Sequence, residues 1–91
     1  MAKVIVTIKI MPESPDTNLK LLEEKAKKVI SEFGAEFGKT DIEPIAFGLK
    51  AVKIMFIMDE DKGSPDALEQ EVRELDGVNS AEISDVRRTI G

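Results

Sequence analysis

The stretch that decides the fold is residues 44–58, which read PIAFGLKAVKIMFIM. Successive side chains of a strand point to opposite sides, so one face of this strand would carry Val52, Ile54, Phe56 and Met58. The alternate face is also apolar, with Lys53 as its only charge. A strand that is apolar on both faces is unsuited to a sheet edge, where it would recruit other chains. The pattern therefore predicts a central strand, preceded by an Ala-Phe-Gly turn.

Upstream, residues 4–11 show the same alternation and predict a second central strand, with one apolar face made of Val4, Val6, Ile8 and Ile10. Two prolines then break the strand, and Asp16 or Thr17 is expected to cap a helix that begins at Leu19. Apolar residues at helical spacing continue to Phe33, and Gly34 is expected to end this amphipathic helix. Residues 36–45 predict a weaker strand, and because Pro44 cannot donate to a ladder, this strand belongs at an edge.

Downstream, residues 59–63 form an acidic turn before Ser64-Pro65-Asp66, a strong helix start in which Ser64 is expected to be the cap and Pro65 the first helical residue. The helix would bury Leu68, Val72 and Leu75 and end at Gly77. The last strand begins at Val78 and places Ala81 and Ile83 on one face, but Val86 breaks that parity. We therefore expect either a bulge or the end of pairing near Ser84 and Asp85, which leaves residues 87–91 as a tail.

The order strand, helix, strand, strand, helix, strand predicts an α+β fold of the ferredoxin-like, split βαβ kind. Its four-stranded antiparallel sheet has the first and third strands in the middle, and right-handed crossovers place both helices on one face. Both predicted central strands are the apolar ones, so pattern and topology agree. Residues 1–91 suit a single domain. The other sheet face, with Ile5, Met55 and Ile57, stays semi-apolar.

Composition excludes most chemistry. The chain has 13 Lys and Arg against 18 Asp and Glu, a net charge of −5, which argues against nonspecific binding to nucleic acid. It has no cysteine and no histidine, which excludes disulfides, the usual zinc sites and histidine acid/base catalysis. An RNA-binding sheet would need exposed aromatic rings on the central strands, whereas this chain has no Tyr or Trp and its Phe56 lies on the core face. We therefore do not expect RNA binding. We expect no enzyme activity, no cofactor, no metal and, without a leader or membrane span, a cytoplasmic protein.

Three groups of residues have alternative interpretations. The acidic residues 59–61 are either a cation site or a solvated turn. Arg87 and Arg88 either bind phosphate or carboxylate, or are charges on an exposed tail. Phe47 is either a lid folded over the core or an exposed anchor for a partner.

A family resemblance goes further. The turn PIAFGLK at residues 44–50, the apolar strand after it, the acidic residues 59–62 and the opening VIVTIK strand resemble translation elongation factor one-beta, in its short archaeal form. The resemblance covers the whole chain. It implies a ferredoxin-like exchange domain that binds the GTPase elongation factor one-alpha, GDP-bound or nucleotide-free, and speeds the release of GDP.

The same resemblance implies the partner-binding residues: Phe47, Gly48, Lys50, Arg87 and Arg88. The turn aromatic is similar to one that packs on the GTPase. In eukaryotic relatives a lysine near the end of the chain reaches toward the magnesium and phosphate site, and Arg88 takes the aligned position. The alternative function is a small regulatory or ligand-binding module that dimerises through Ile5, Met55 and Ile57.

Overall fold

The computed structural model describes residues 3–62 and 65–89, and these residues have the element order that the sequence predicts. The elements are β1 (Lys3–Pro12), α1 (Leu19–Phe33), β2 (Glu36–Pro44), β3 (Lys50–Asp59), a 3-10 turn (Glu60–Lys62), α2 (Asp66–Arg73) and β4 (Val78–Thr89). The sheet order is β2-β3-β1-β4, with every neighbouring pair antiparallel. The two apolar strands are therefore central and the proline-bearing strand is an edge, which confirms the ferredoxin-like prediction.

A single core lies between the sheet and the two helices. Val6 pairs with Phe56 and Ile8 with Ile54, so the apolar faces of β1 and β3 are the same side of the sheet. This face meets the buried helix residues Leu22, Ala26, Ile30, Leu68 and Val72. Full burial of an aliphatic or aromatic side chain contributes about 1.5–3 kcal/mol, so this face dominates the stability of the domain.

Both helices differ from the prediction at one end. Asn18 caps α1, because its Oδ1 accepts a 3.1 Å hydrogen bond from the Leu21 N–H. The expected caps, Asp16 and Thr17, are wrong: the Thr17 hydroxyl instead accepts a 3.2 Å bond from the Ser14 N–H and braces the preceding loop. Gly34 ends α1 as predicted.

The second helix is shorter than its apolar pattern suggested. It ends at Arg73, about one turn before the predicted Gly77. The Glu74 and Leu75 N–H groups bond to the carbonyls of Glu71 and Val72, so the last turn tightens to 3-10 geometry. The predicted cap Ser64 lies outside the described residues, and the expectation that Pro65 is the first helical residue is wrong, because Pro65 occupies the cap position and α2 begins at Asp66.

The predicted bulge in β4 is confirmed, and it decides where the arginines point. The ladder with β1 shifts register between Asp85 and Ile83, and the Ser84 hydroxyl donates a 3.3 Å bond to the Thr7 carbonyl. The expected tail from residue 87 is wrong, since pairing continues past Arg87 and Arg88. The strand is longer than predicted because an edge strand tolerates charged side chains, and the backbone of β1 continues to pair with β4 as far as Lys3.

The second face of the sheet carries no helix in the described part of the chain. By register, Lys53 of β3 and Glu43 of β2 share this face, and their side chains form an ion pair of 3.5 Å. Ile5, Met55 and Ile57 are half-buried among such charges. The semi-apolar face that was predicted is therefore a narrow apolar strip bordered by paired charges. Among the described helices, none has the length and apolar character required to span a bilayer.

Candidate functional site

The hairpin that joins β2 to β3 is a tight turn with an unusual backbone. The Ile45 N–H bonds to the Leu49 carbonyl, and the Leu49 N–H bonds to the Ala46 carbonyl, each at 2.9 Å. Phe47 has φ 54° and Gly48 has φ 80°. Phe47 and Gly48 are the two central residues enclosed by the bond from the Leu49 N–H to the Ala46 carbonyl. Two consecutive positive φ values at these positions are the signature of a type I′ turn, whose twist matches the flanking strands. Glycine suits the second position, but the first is held by a phenylalanine.

Phe47 is an exposed ring. It is 95% exposed, so the interpretation of this residue as a lid over the core is wrong. Among residues 3–62 and 65–89, Phe47 is also the only residue other than glycine that has a positive φ. A bulky residue held in the left-handed region carries backbone strain, and such strain concentrates at functional sites. The turn therefore displays an aromatic ring that contributes almost nothing to the core.

The loop between β1 and α1 lies close to the turn. A Cβ added to Gly48 would lie 3.7 Å from the Pro15 Cβ, so the β1–α1 loop stands in close range of the turn. A crevice of about 140 Å³ separates the two and is lined by Pro12, Ser14, Pro15, Leu19, Gly48 and Lys50. The structure thus places Phe47, Gly48 and Lys50 at one end of the sheet. It adds Pro15, which sequence reasoning missed although the topology places the end of β1 beside the start of β3.

The two predicted arginines lie at the end of β4 and point to opposite faces. Arg87 pairs with Ile5 on the open face, where its Nε donates a 2.9 Å bond to the Asp85 Oδ2. Arg88 pairs with Val4 on the helix-covered side. The bulge at Ser84 sets this assignment, since it shifts the parity of all residues after it.

Arg88 is held by Glu60, a contact that sequence reasoning missed. The Arg88 Nη2 donates a hydrogen bond to the Glu60 Oε1. This hydrogen bond and the charge of Glu60 raise the pKa of the Arg88 guanidinium above its ordinary value. The arginine side chain remains 69% exposed and the glutamate 41%. The predicted strand order could have found this contact, because β3 and β4 both end beside the start of β1.

The five predicted residues form two groups at opposite ends of the sheet. Arg88 is level with Val4 and Met58, whereas the hairpin follows the pair of Lys50 and Pro44. Eight residues of strand separate these levels, which corresponds to roughly 26 Å at about 3.3 Å per residue. The longest dimension of the molecule is 42 Å, so the two groups occupy its two ends.

The acidic residues 59–61, at the same end as Arg88, do not form a metal-binding cluster. Within residues 3–62 and 65–89, no group of three or more His, Cys, Asp or Glu side chains could hold a metal ion. The interpretation of residues 59–61 as a cation site therefore has no support in the geometry. What the ends offer is an aromatic ring on one side and charged hydrogen-bond donors on the other.

Sequence comparison assigns the chain to a described domain type. Residues 5–89 match the model of the EF-1 guanine nucleotide exchange domain. The chain is 43% identical to elongation factor 1-beta of Methanothermobacter thermautotrophicus over 88 residues, which cover 97% of this chain and 98% of that protein. It is 43% identical to elongation factor 1-beta of Staphylothermus marinus over 89 residues, with coverage of 97% and 98%. The likeness therefore spans nearly the full length of both relatives.

Structural comparison gives the same fold in proteins of other kinds. The ACT domain of GTP pyrophosphokinase from Chlorobium tepidum superposes with a TM-score of 0.61 at 22% identity, covering 89% of this chain and 97% of that one. A de novo designed protein superposes with a TM-score of 0.62 at 17% identity, with 98% of each chain covered. At such identities the likeness concerns the fold alone, because this sandwich hosts many unrelated functions.

Proposed function

Because the chain belongs to the archaeal elongation factor 1-beta family, whose members carry the EF-1 guanine nucleotide exchange domain, we propose that it loosens GDP on its GTPase through both ends of its sheet. The activity itself follows from the family: the protein is a guanine nucleotide exchange factor for elongation factor 1-alpha. The exchange domain comprises residues 1–91 in this proposal, and the observation that carries the mechanism is the exposed ring of Phe47, held on a backbone with positive φ.

The hairpin end is the docking anchor. Buried aromatic side chains dominate the binding energy of most interfaces, and Phe47 is available for burial because it is 95% exposed. The type I′ turn fixes its backbone, because two hydrogen bonds close the hairpin around Phe47 and Gly48. A ring that is already held in place loses little conformational entropy when it docks. Gly48 supplies the backbone geometry, and Lys50 adds a positive charge beside the ring.

The other end of the sheet, where Arg87 and Arg88 close β4, acts on the nucleotide site; we call it the arginine end. The family resemblance aligns Arg88 with the lysine of eukaryotic relatives that reaches toward magnesium and phosphate, and the arginine is a departure from that lysine. A guanidinium is a planar fork that always carries its charge and matches phosphate or carboxylate oxygens. Contact of Arg88 with the ligands of the magnesium ion would weaken the hold on the β-phosphate of GDP. Arg87 presents a second positive charge from the opposite face and favours approach to the same anionic site.

Exchange by this route needs no bond to form or break. GDP is held mainly through its phosphates and Mg²⁺, and a factor that binds best when that site is disturbed lowers nucleotide affinity by its coupling free energy. By linkage, bound GDP lowers the affinity of the GTPase for the factor by the same amount. The factor therefore binds the nucleotide-free GTPase most tightly, although it first encounters the GDP-bound form. The proposed partner is this GTPase alone in the cytoplasm, without direct contact to nucleic acid, in keeping with the net charge of −5.

The test is release of a fluorescent GDP analogue from elongation factor 1-alpha, followed by stopped flow over a range of factor concentrations. The native chain should accelerate release in a saturable manner. Arg88→Ala should lower the maximal release rate by about tenfold to a hundredfold, the factor associated with losing a charge-assisted hydrogen bond. Half-saturation should stay within a factor of about two, because docking relies on the hairpin.

The matched control is Lys28→Ala, which removes one positive charge from an exposed position on α1. This variant should exchange like the native chain. Equal losses for Lys28→Ala and Arg88→Ala would reduce the role of Arg88 to general charge attraction. If the native chain leaves the rate of GDP release unchanged, the proposed exchange activity is refuted.

A further inference from the structure

The contact between Glu60 and Arg88 joins two parts of the chain across the start of β1. Val4 of β1 pairs with Met58 of β3 on one side and with Arg88 of β4 on the other. Glu60 begins the 3-10 turn two residues after Met58, and its carboxylate reaches over this end of the sheet to the guanidinium. The arginine is therefore fixed by a neighbour that is 28 positions away in the sequence.

The contact uses little of the guanidinium. It joins one nitrogen, Nη2, to one carboxylate oxygen, Oε1. An arginine side chain has five N–H donors, and the guanidinium of Arg88 has no other hydrogen-bond partner within the described ranges. The Nη1 and Nε donors thus stay available while the side chain as a whole is 69% exposed. A carboxylate that blocked the guanidinium would engage its fork in a bidentate pair.

We propose that Glu60 is a positioning residue for Arg88, and this inference depends on the function proposed above. A long arginine side chain at the end of an edge strand samples many rotamers, and most of them point away from a docked partner. By holding one nitrogen, Glu60 restricts the side chain before the GTPase arrives and leaves the other donors for oxygens of the partner's phosphate and magnesium site. Less conformational entropy is then lost in the exchange-active complex.

Glu60→Ala should lower the maximal rate of GDP release by roughly two- to fivefold, the range expected from one exposed ion pair. The half-saturating concentration should not change, because Glu60 is remote from the hairpin that docks. Glu60→Gln should recover part of the rate, since an amide oxygen still accepts the hydrogen bond from Nη2. Asp61→Ala is the matched control: it removes a neighbouring exposed carboxylate and should exchange at the native rate.

A double-mutant cycle makes the inference falsifiable. In the Arg88→Ala background, adding Glu60→Ala should have no further effect, because a positioning residue acts only through the side chain it positions. A similar loss in both backgrounds would show that Glu60 acts independently of Arg88 and would overturn the inference. A faster release with Glu60→Ala alone would show that Glu60 restrains the arginine, which also overturns it.

The cycle separates this inference from the proposed function. If the native chain and Arg88→Ala release GDP at the same rate, the role of Arg88 fails, and the positioning role of Glu60 fails with it. If Arg88→Ala is slow but Glu60→Ala is as fast as the native chain, only the positioning role fails. Melting temperatures of all variants, measured in parallel, should agree within about 3 °C, which excludes loss of folded protein as the cause.

Discussion

Replacement of Phe47 by alanine should separate stability from activity almost completely. The ring is 95% exposed, so folding covers about one-twentieth of its surface. Full burial of a phenylalanine is worth about 3 kcal/mol, and this small share corresponds to about 0.15 kcal/mol. Alanine meets the same backbone penalty at φ 54°, so the turn gains no relief. The free energy of unfolding should change by less than about 0.5 kcal/mol, and the melting temperature by less than about 3 °C.

Exchange should respond far more strongly than stability. An aromatic anchor at the centre of an interface typically contributes about 2–4 kcal/mol to binding, which raises the half-saturating concentration of the factor by roughly 30- to 1000-fold. The assay is release of a fluorescent GDP analogue over a wide range of factor concentrations. At sufficiently high concentration the maximal rate should approach the native value, since Arg88 is intact at the far end.

The chain offers a matched control on β2, the strand that leads into the hairpin. Phe37 is 36% exposed, so about two thirds of its surface is covered, and the Lys27 Nζ lies 4.4 Å from the centre of its ring. Phe37→Ala should therefore lower the free energy of unfolding by about 2 kcal/mol and the melting temperature by about 10 °C, with exchange per folded molecule retained. The opposite pattern, in which Phe47→Ala melts far earlier and exchanges normally, would refute the anchor role of the ring.

Two further predictions address the turn and the separation of the ends. Gly48→Ala should lower the free energy of unfolding by about 1 kcal/mol, because Gly48 has φ 80°, and Gly48→Asn should lower it by less, since asparagine tolerates this region; urea denaturation of both variants tests the order. The sequence contains no cysteine, so Ala46→Cys and Val86→Cys each provide one attachment point for a photo-crosslinker. The two should mark separate segments of the GTPase, and crosslinks to one shared segment would contradict two-ended binding.

The core could be predicted because its pattern is redundant. The alternation of residues 52–58 and 4–10 specifies two central strands, and Pro44 independently assigns β2 to an edge. The helix cap could not be predicted in the same way. Asp16, Thr17 and Asn18 are all good caps by residue type, and the choice depends on the hydrogen bond that commits Thr17 to the loop at Ser14.

The candidate site was predictable in composition but not in arrangement. Spacing alone left Phe47 undecided between lid and anchor, because it does not reveal that a phenylalanine occupies the first positive-φ position of a type I′ turn. The side to which Arg88 points depends on the bulge at Ser84, where one extra residue reverses parity for the rest of β4. The partner of Arg88 depends in turn on that side, so Glu60 emerges only from the folded register.

The rigidity of the sheet connects the two proposed contacts. The ends are joined by hydrogen-bonded strands of nine to twelve residues, and the first residue of β3, Lys50, is roughly 26 Å from the level of Arg88. Docking of Phe47, which lies beyond Lys50, therefore holds Arg88 at a fixed and slightly greater distance. The second contact then becomes intramolecular, and a weak arginine contact gains from the resulting effective concentration. GDP opposes only this second contact. A bound nucleotide should therefore weaken the arginine end while the hairpin stays docked, which allows the factor to bind first and release GDP afterwards.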